Sequence, residues 1–279
     1  KKSVFEVYKD ASINNKWTKI LKKECTKNKI DFLTAPYDLD YVDSVSKFIS
    51  AYKIGSGDIT WTDIIKKIAK KKKPVLVATG ASSFNDVKRA IKEIQKFNKK
   101  IILMQCNTNY TADFSNHQYL NLEVIHQYKN HFKNKVILGL SDHTFGHNSV
   151  LGAVAMGARV VEKHFTDDNN RTGPDHKFSM NPKTWRLMID ETRLLEKSLG
   201  DGKKRIENNE KDSVIVQRRS IRASKDLLRN QKIKENMLTY LRPAPKNSLA
   251  PYEKNKILNK TLKTNIKKGD LVNWPKIKN

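Results

Sequence analysis

Through residue 198, short runs rich in β-branched residues alternate with longer amphipathic stretches. The runs at 31–34, 51–54, 75–79, 101–105, 136–140 and 159–163 read as strands. Between them, 63–71, 84–97 and 120–132 carry apolar residues at helical spacing. Ser83 and Asn85 are both placed to cap the second of these helices. Strands separated by helices imply βαβ units and a parallel sheet. No G-x-G-x-x-G turn follows a strand, which argues against an open dinucleotide-binding sheet. Instead, a polar residue stands at the end of every strand: Thr34, Lys53 with Ser56, Thr79, Asn109 with Tyr110, Ser141 with His143, and Glu162 with His164. Polar groups converging from many C-terminal strand ends mark the mouth of a (β/α)8 barrel. Six units are countable, and six alone would leave open sheet edges. The expectation is therefore an α/β fold, a (β/α)8 TIM barrel whose first two βα units lie upstream of Lys1. The opening residue, Lys rather than Met, suggests the same.

Gly200 and Gly202 interrupt the last helical pattern, and the polar stretch 199–216 reads as a linker. Beyond it, 220–223, 236–240, 257–262 and 270–274 are short and bounded by turns. The division expected is a barrel over 1–198, a linker over 199–216 and a small, mostly β domain over 217–279. A domain of that size is marginally stable alone and gains from docking on a partner.

The net charge of +26 raises the question of nucleic acid. The excess is mostly Lys spread along the whole chain, without aromatic–basic interleaving, so no nucleic-acid partner is expected. Such a field can still draw in an anionic substrate. There is no apolar run of about 18 residues and no secretory h-region, which predicts a cytoplasmic protein without a membrane span. Cys25 and Cys106 show neither a disulfide framework nor metal spacing.

The chemistry concentrates at the strand ends. Side chains alternate along a strand, so Ser141 shares a face with His143, and Glu162 with His164. Two imidazoles on adjacent strand ends can hold one metal, and N/O ligands suit a divalent ion such as Mn2+, with Mg2+ or Co2+ as options. A lone histidine at a strand end reads first as a satisfied polar residue; it is the pair on neighbouring strand ends that points to a metal. Glu162 is the catalytic carboxylate candidate, whereas alternation turns Lys163 outward and weakens it as one. In Lys53-Ile54-Gly55-Ser56-Gly57-Asp58, a cation, a hydroxyl and two glycines can cradle a phosphate or carboxylate; the same string is also a tight turn with a surface lysine. Asp175, in the turn 173–177, can bind substrate hydroxyls or simply stabilise the turn.

Taken together, FLTAPYD (32–38), YKIGSGD (52–58), ATG (78–80), SDHTFG (141–146), EKHFT (162–166), GPDHKFSM (173–180), LGDG (199–202), QRRSIRA (217–223) and LRP (241–243) resemble the sialic acid synthase family. The resemblance implies a (β/α)8 barrel followed by a small antifreeze-like (SAF) domain, in a domain-swapped homodimer. It implies condensation of phosphoenolpyruvate with an N-acetylated mannose-type sugar. His143 and His164 then match the metal ligands, Thr34, Lys53, Ser56 and Ser141 the phosphoenolpyruvate ligands, and Tyr110 and Asp175 the sugar contacts. Arg242 matches the arginine that reaches across the dimer to the sugar's acyl group. CNTNYTAD (106–113) and TDDNNRTGPDH (166–176) look most like the legionaminic acid synthase branch. The expected substrate is 2,4-diacetamido-2,4,6-trideoxymannose and the product N,N'-diacetyllegionaminate, with neuraminate and pseudaminate synthesis as alternatives. The family's catalytic glutamate and another substrate-binding lysine follow the first two strands, so the chain as given is not expected to work alone. Leu228-Arg229-Asn230-Gln231 replaces the family's basic-Gly turn, which predicts a distorted turn there. Outside the family, the nearest rival is a Schiff-base aldolase using Lys53.

Overall fold

The computed structural model describes residues 3–278, which divide between Asp201 and Gly202 into two units. The first opens with helices α1 (Val4–Ala11), α2 (Lys16–Lys27) and α3 (Leu39–Val45). Strands and helices then alternate: β1 (Tyr52–Ile54), α4 (Thr62–Lys70), β2 (Val75–Ala78), α5 (Phe84–Gln95), β3 (Ile101–Cys106), α6 (Val124–Phe132), β4 (Ile137–Asp142), α7 (Asn148–Ala155), β5 (Val160–Lys163) and α8 (Pro182–Leu199). The five strands are all parallel, in the order β1-β2-β3-β4-β5. The sheet curls: Lys53 on β1 and Glu162 on β5, at its two edges, are ion-paired to each other. It is a half-barrel wrapped by helices.

Segment 31–34, expected as the first strand, is not one. It contributes one parallel bridge, Thr34 to Tyr52, because Pro36 just beyond has no amide to extend a ladder. Helices α4 and α5 agree closely with the apolar period, whereas α6 begins four residues after the expected start at 120. At α5 the cap is Ser83, not Asn85: its hydroxyl accepts from the Asp86 amide while Asp86 reaches back to the Ser83 amide.

Strand alternation sorts the sheet into two faces. Tyr52, Ile54, Val75, Val77, Ile101, Leu103, Leu138 and Leu140 are buried against Ile64, Ile65 and Ile68 of α4 and Val87, Ile91 and Ile94 of α5, among others. The alternate set, Lys53, Ala78, Met104, Cys106, Ser141 and Glu162, faces the inside of the curl. Gly139 belongs to that inner set, and it leaves no room for a side chain: a Cβ would lie 2.8 Å from the Val160 carbonyl oxygen.

In the second unit, helix α9 (Lys211–Gln217) begins in the stretch read as a linker and ends one residue past it. Strands β6 (Ser220–Ala223) and β7 (Leu238–Leu241) pair antiparallel over a core of Ile221, Leu227, Ile233, Leu249, Leu262 and Val272. The runs 257–262 and 270–274 are not strands. The first begins at the end of helix α10 (Lys254–Ile257), and both supply only isolated bridges such as Leu262 to Ile277 and Arg222 to Leu271. Positive φ at Asn259 and Gly269 bends the chain before a ladder can extend. The turn at 228–231 is well formed rather than distorted. Asn230 takes φ +69, the conformation a glycine would supply, and Gln231 N–H closes the turn on the Leu228 carbonyl.

Candidate active site

The ends of β3, β4 and β5 carry Cys106, Ser141 and Glu162 in one register row on the inner face. One step beyond, His143 and His164 come together with ring centroids 5.1 Å apart. His143 Nδ1 lies 2.7 Å from the Asn107 carbonyl oxygen. A carbonyl can only accept, so Nδ1 carries the proton and Nε2 keeps its lone pair. His164 has the Asp175 carboxylate 3.5 Å from its Nδ1. Burial pushes both imidazoles below the ordinary histidine value, and for His164 the neighbouring His143 adds to it. Two neutral imidazoles with an oriented ring nitrogen are the donor type a borderline divalent ion takes. Among the described residues, no third His, Cys, Asp or Glu joins them in a metal-binding cluster. The pair therefore fits as the two protein nitrogens of an open site, with positions left for water and substrate.

Aromatic rings cover this pair. Tyr110 stands 4.4 Å from the His143 ring and 5.7 Å from that of His164, and Phe178 stands 5.1 Å from His164. Burial pushes the Tyr110 phenol up to about 12, so it stays a hydroxyl at working pH. The apolar cover lowers the local dielectric and limits water at the imidazoles.

Across the curl, the Lys53 ammonium meets the Glu162 carboxylate. Ser56 Oγ accepts the Gly80 amide at 2.9 Å and lies 3.5 Å from Cys106 Sγ. Gly80 is demanded by this approach, since a Cβ there would sit 2.5 Å from Thr108 Cγ2. Ser141 is buried beside Cys106. Burial also pushes the Cys106 thiol up, so it is a neutral wall of the site.

Lys53, Ser56, Tyr110, Ser141, Glu162, His143, His164 and Asp175 thus share one mouth. Thr34 sits at the sheet edge, bridged to Tyr52, and lines a hollow of about 460 Å³ with Phe32, Tyr37 and Tyr41. Arg242 is an exposed residue of the second unit, its Nε donating to the Gln217 carbonyl at 2.6 Å. Thr79 turns toward the helices, donating to the Met104 carbonyl and accepting from the Tyr128 hydroxyl. Asn109 is spent on its own turn, accepting from the Thr111 amide and hydroxyl.

Phe178 and Cys106 were not picked out from sequence. Phe178 belongs to the site only because 173–180 folds back over His164, which no local pattern announces. Cys106 follows a run with strand composition, but its register with Ser141 exists only in the folded sheet.

Comparison with known proteins shows the family. A family model described as the NeuB family matches residues 1–204, and a SAF domain model matches residues 218–278. The chain is 37% identical over 254 residues to the N,N'-diacetyllegionaminic acid synthase of Campylobacter jejuni, covering 90% of this chain and 73% of that protein. It is 32% identical over 274 residues to the pseudaminic acid synthase of the same species, covering 97% and 77%. Among solved structures, N-acetylneuraminic acid synthetase from Leptospira borgpetersenii superposes with a TM-score of 0.68 at 28% identity, covering 74% of this chain and 71% of that one. Fold and relatives converge: the chain belongs to the NeuB family of sialic acid synthases, with a SAF domain following its half-barrel unit.

Proposed function

We propose that the protein carrying this chain joins C3 of phosphoenolpyruvate to the aldehyde carbon of an N-acetylated mannose-type sugar. Water adds at C2 and phosphate leaves, giving a nonulosonic acid. The observation that carries this reading is the pair of neutral imidazoles, His143 and His164, facing the Lys53–Glu162 ion pair across one mouth. The relatives favour the same chemistry, and the similarity to a legionaminic acid synthase favours 2,4-diacetamido-2,4,6-trideoxymannose as the sugar.

His143 and His164 would hold a divalent ion, Mn2+ by preference, which when bound supplies Lewis-acid polarisation of the sugar's aldehyde oxygen. Lys53 offers a fixed cation to the phosphate or carboxylate of phosphoenolpyruvate, and the Ser56 and Ser141 hydroxyls offer hydrogen-bonding groups. With its partner Lys53 drawn to the anion, Glu162 is free to take the proton of the water that adds at C2. Tyr110 and Asp175 border the imidazoles where the sugar would enter, and Tyr110 excludes bulk water. Thr34 is assigned to phosphoenolpyruvate from the sheet edge, and the exposed Arg242 to the acyl group of a sugar bound in the partner of a domain-swapped dimer. The Lys53 ammonium is engaged by a carboxylate, which favours its use as a fixed charge over a Schiff-base amine.

The test is phosphate release from phosphoenolpyruvate with each candidate sugar. EDTA should abolish turnover and Mn2+ should restore it. Full activity after complete metal removal would refute the metal role, and trapping by borohydride would favour the aldolase.

A further inference from the structure

Asp142 and Lys163 stand one residue before His143 and His164, and they are direct partners in the β4–β5 register. Alternation sends both to the helix-facing side of the sheet, opposite the imidazoles. There their side chains are sealed from solvent, at 0% and 1% exposure. Lys163 Nζ donates to Asp142 Oδ2 at 2.7 Å and to the Thr144 carbonyl at 2.7 Å. Asp142 Oδ1 accepts from the Thr144 amide and hydroxyl, both at 2.9 Å. Asp142 Oδ2 also accepts from Ser149 Oγ on α7. Both backbone polar groups of Thr144, the residue after His143, are therefore held by the pair. His143 is bracketed between Asp142 and Thr144, and His164 follows Lys163 directly.

A buried ion pair is a poor way to gain stability, since apolar residues of similar volume serve as well or better. Its distinctive property is directional: it works at one strand offset and one turn geometry. We infer that the Asp142–Lys163 pair is a positioning device that fixes the relative height of β4 and β5, and hence the spacing of His143 and His164. The pair touches no reacting atom and acts only through the two imidazoles. The inference rests on the reading of His143 and His164 as metal ligands.

The experiment compares the full protein, Lys163→Met, and the double variant Asp142→Leu/Lys163→Met. Lys163→Met leaves a buried carboxylate unpaired and is expected to melt early or fail to fold. The double variant removes both charges, so its melting temperature should recover. Mn2+ affinity, measured by calorimetry on metal-free protein, is the deciding quantity. Loss of a group that orients metal ligands typically weakens binding about 10- to 100-fold, and the double variant should show that loss despite its restored stability. Recovery of both melting temperature and Mn2+ affinity would overturn the inference and leave the pair a stabilising contact. Absence of Mn2+ binding by the unaltered protein, matching a His143→Ala control, would overturn the metal reading and this inference with it.

Discussion

Adding one methyl group at Gly80 would place a Cβ 2.5 Å from Thr108 Cγ2 and 3.0 Å from both Ser56 Oγ and Thr108 Oγ1. To regain ordinary contact at 3.4 Å, Thr108 must retreat by about 0.9 Å. Ser56 is less able to yield, because its hydroxyl is held by the Gly80 amide and lies against Cys106. Overpacking of this kind costs roughly 1–3 kcal/mol. In a chain of this size each 1 kcal/mol moves the melting midpoint by about 2–4 °C. If Ser56 is displaced, the anion it helps to hold moves too, and a misplacement of about 1 Å can cost up to about 100-fold in kcat/KM.

Gly57→Ala is the matched control, since nothing lies within 4 Å of a Cβ there. It carries the same change in unfolded-chain entropy, about 0.4–1 kcal/mol. Thermal melts and the phosphoenolpyruvate dependence of phosphate release, run on both variants, separate the two effects. Gly80→Ala should melt lower and show a raised KM for phosphoenolpyruvate, whereas Gly57→Ala should melt at or above the parent. Equal midpoints would refute the packing argument. A lowered midpoint with an unchanged KM would keep the packing and remove Ser56 from the anion cradle.

Burial lowers the histidine pKa values at 143 and 164 below 6.5. Between the folded value and 6.5 the unfolded chain binds more protons, so stability rises with pH there and is lost as pH falls below 6.5. Urea denaturation of metal-free protein at stepped pH should show this slope, and His143→Gln/His164→Gln should reduce it; identical slopes would refute the assignment. At Asn230, φ +69 favours residues that tolerate the left-handed region. Asn230→Gly should therefore be nearly neutral and Asn230→Ala should cost about 1–2 kcal/mol, measured by chemical denaturation; equal stability of the two would contradict the turn assignment. Glu162→Gln keeps the shape but breaks the ion pair with Lys53, so kcat should fall while Mn2+ affinity holds, and an unchanged kcat would remove Glu162 from the proton transfer.

The barrel unit was readable because its strands bury one face against amphipathic helices, and both periods are local properties of the chain. Alternation from Ser141 to His143 and from Glu162 to His164 correctly put four polar residues inside the mouth. The same logic failed where pairing is not local. Segment 31–34 has strand composition but makes one bridge, since a strand exists only with a partner on which to continue. In the second unit, 257–262 has the apolar content of a strand, yet α10 takes its beginning and Asn259 turns the rest. Thr79 departs from expectation for a related reason: a polar residue at a strand end is not thereby in the mouth, and here the Tyr128 hydroxyl donates to it on the helix side.

The Lys163 side chain shows where local reading stops. Alternation said that it leaves the mouth, and a lysine leaving the mouth of an isolated strand would be a solvated charge. What makes it a buried cation is the β4–β5 offset that sets Asp142 directly beside it, together with α7, which brings Ser149 over the pair. Register in a parallel sheet is decided by crossover connections and by which faces can be buried, not by either strand alone. An offset of one residue would turn Lys163 or Asp142 toward the wrong face and leave a charge unpaired. The cost of an unpaired buried charge, about 3–5 kcal/mol, is what makes such an offset untenable. The residues that position the two histidines thus lie beside them in sequence, yet their role depends on a pairing that exists only in the folded sheet.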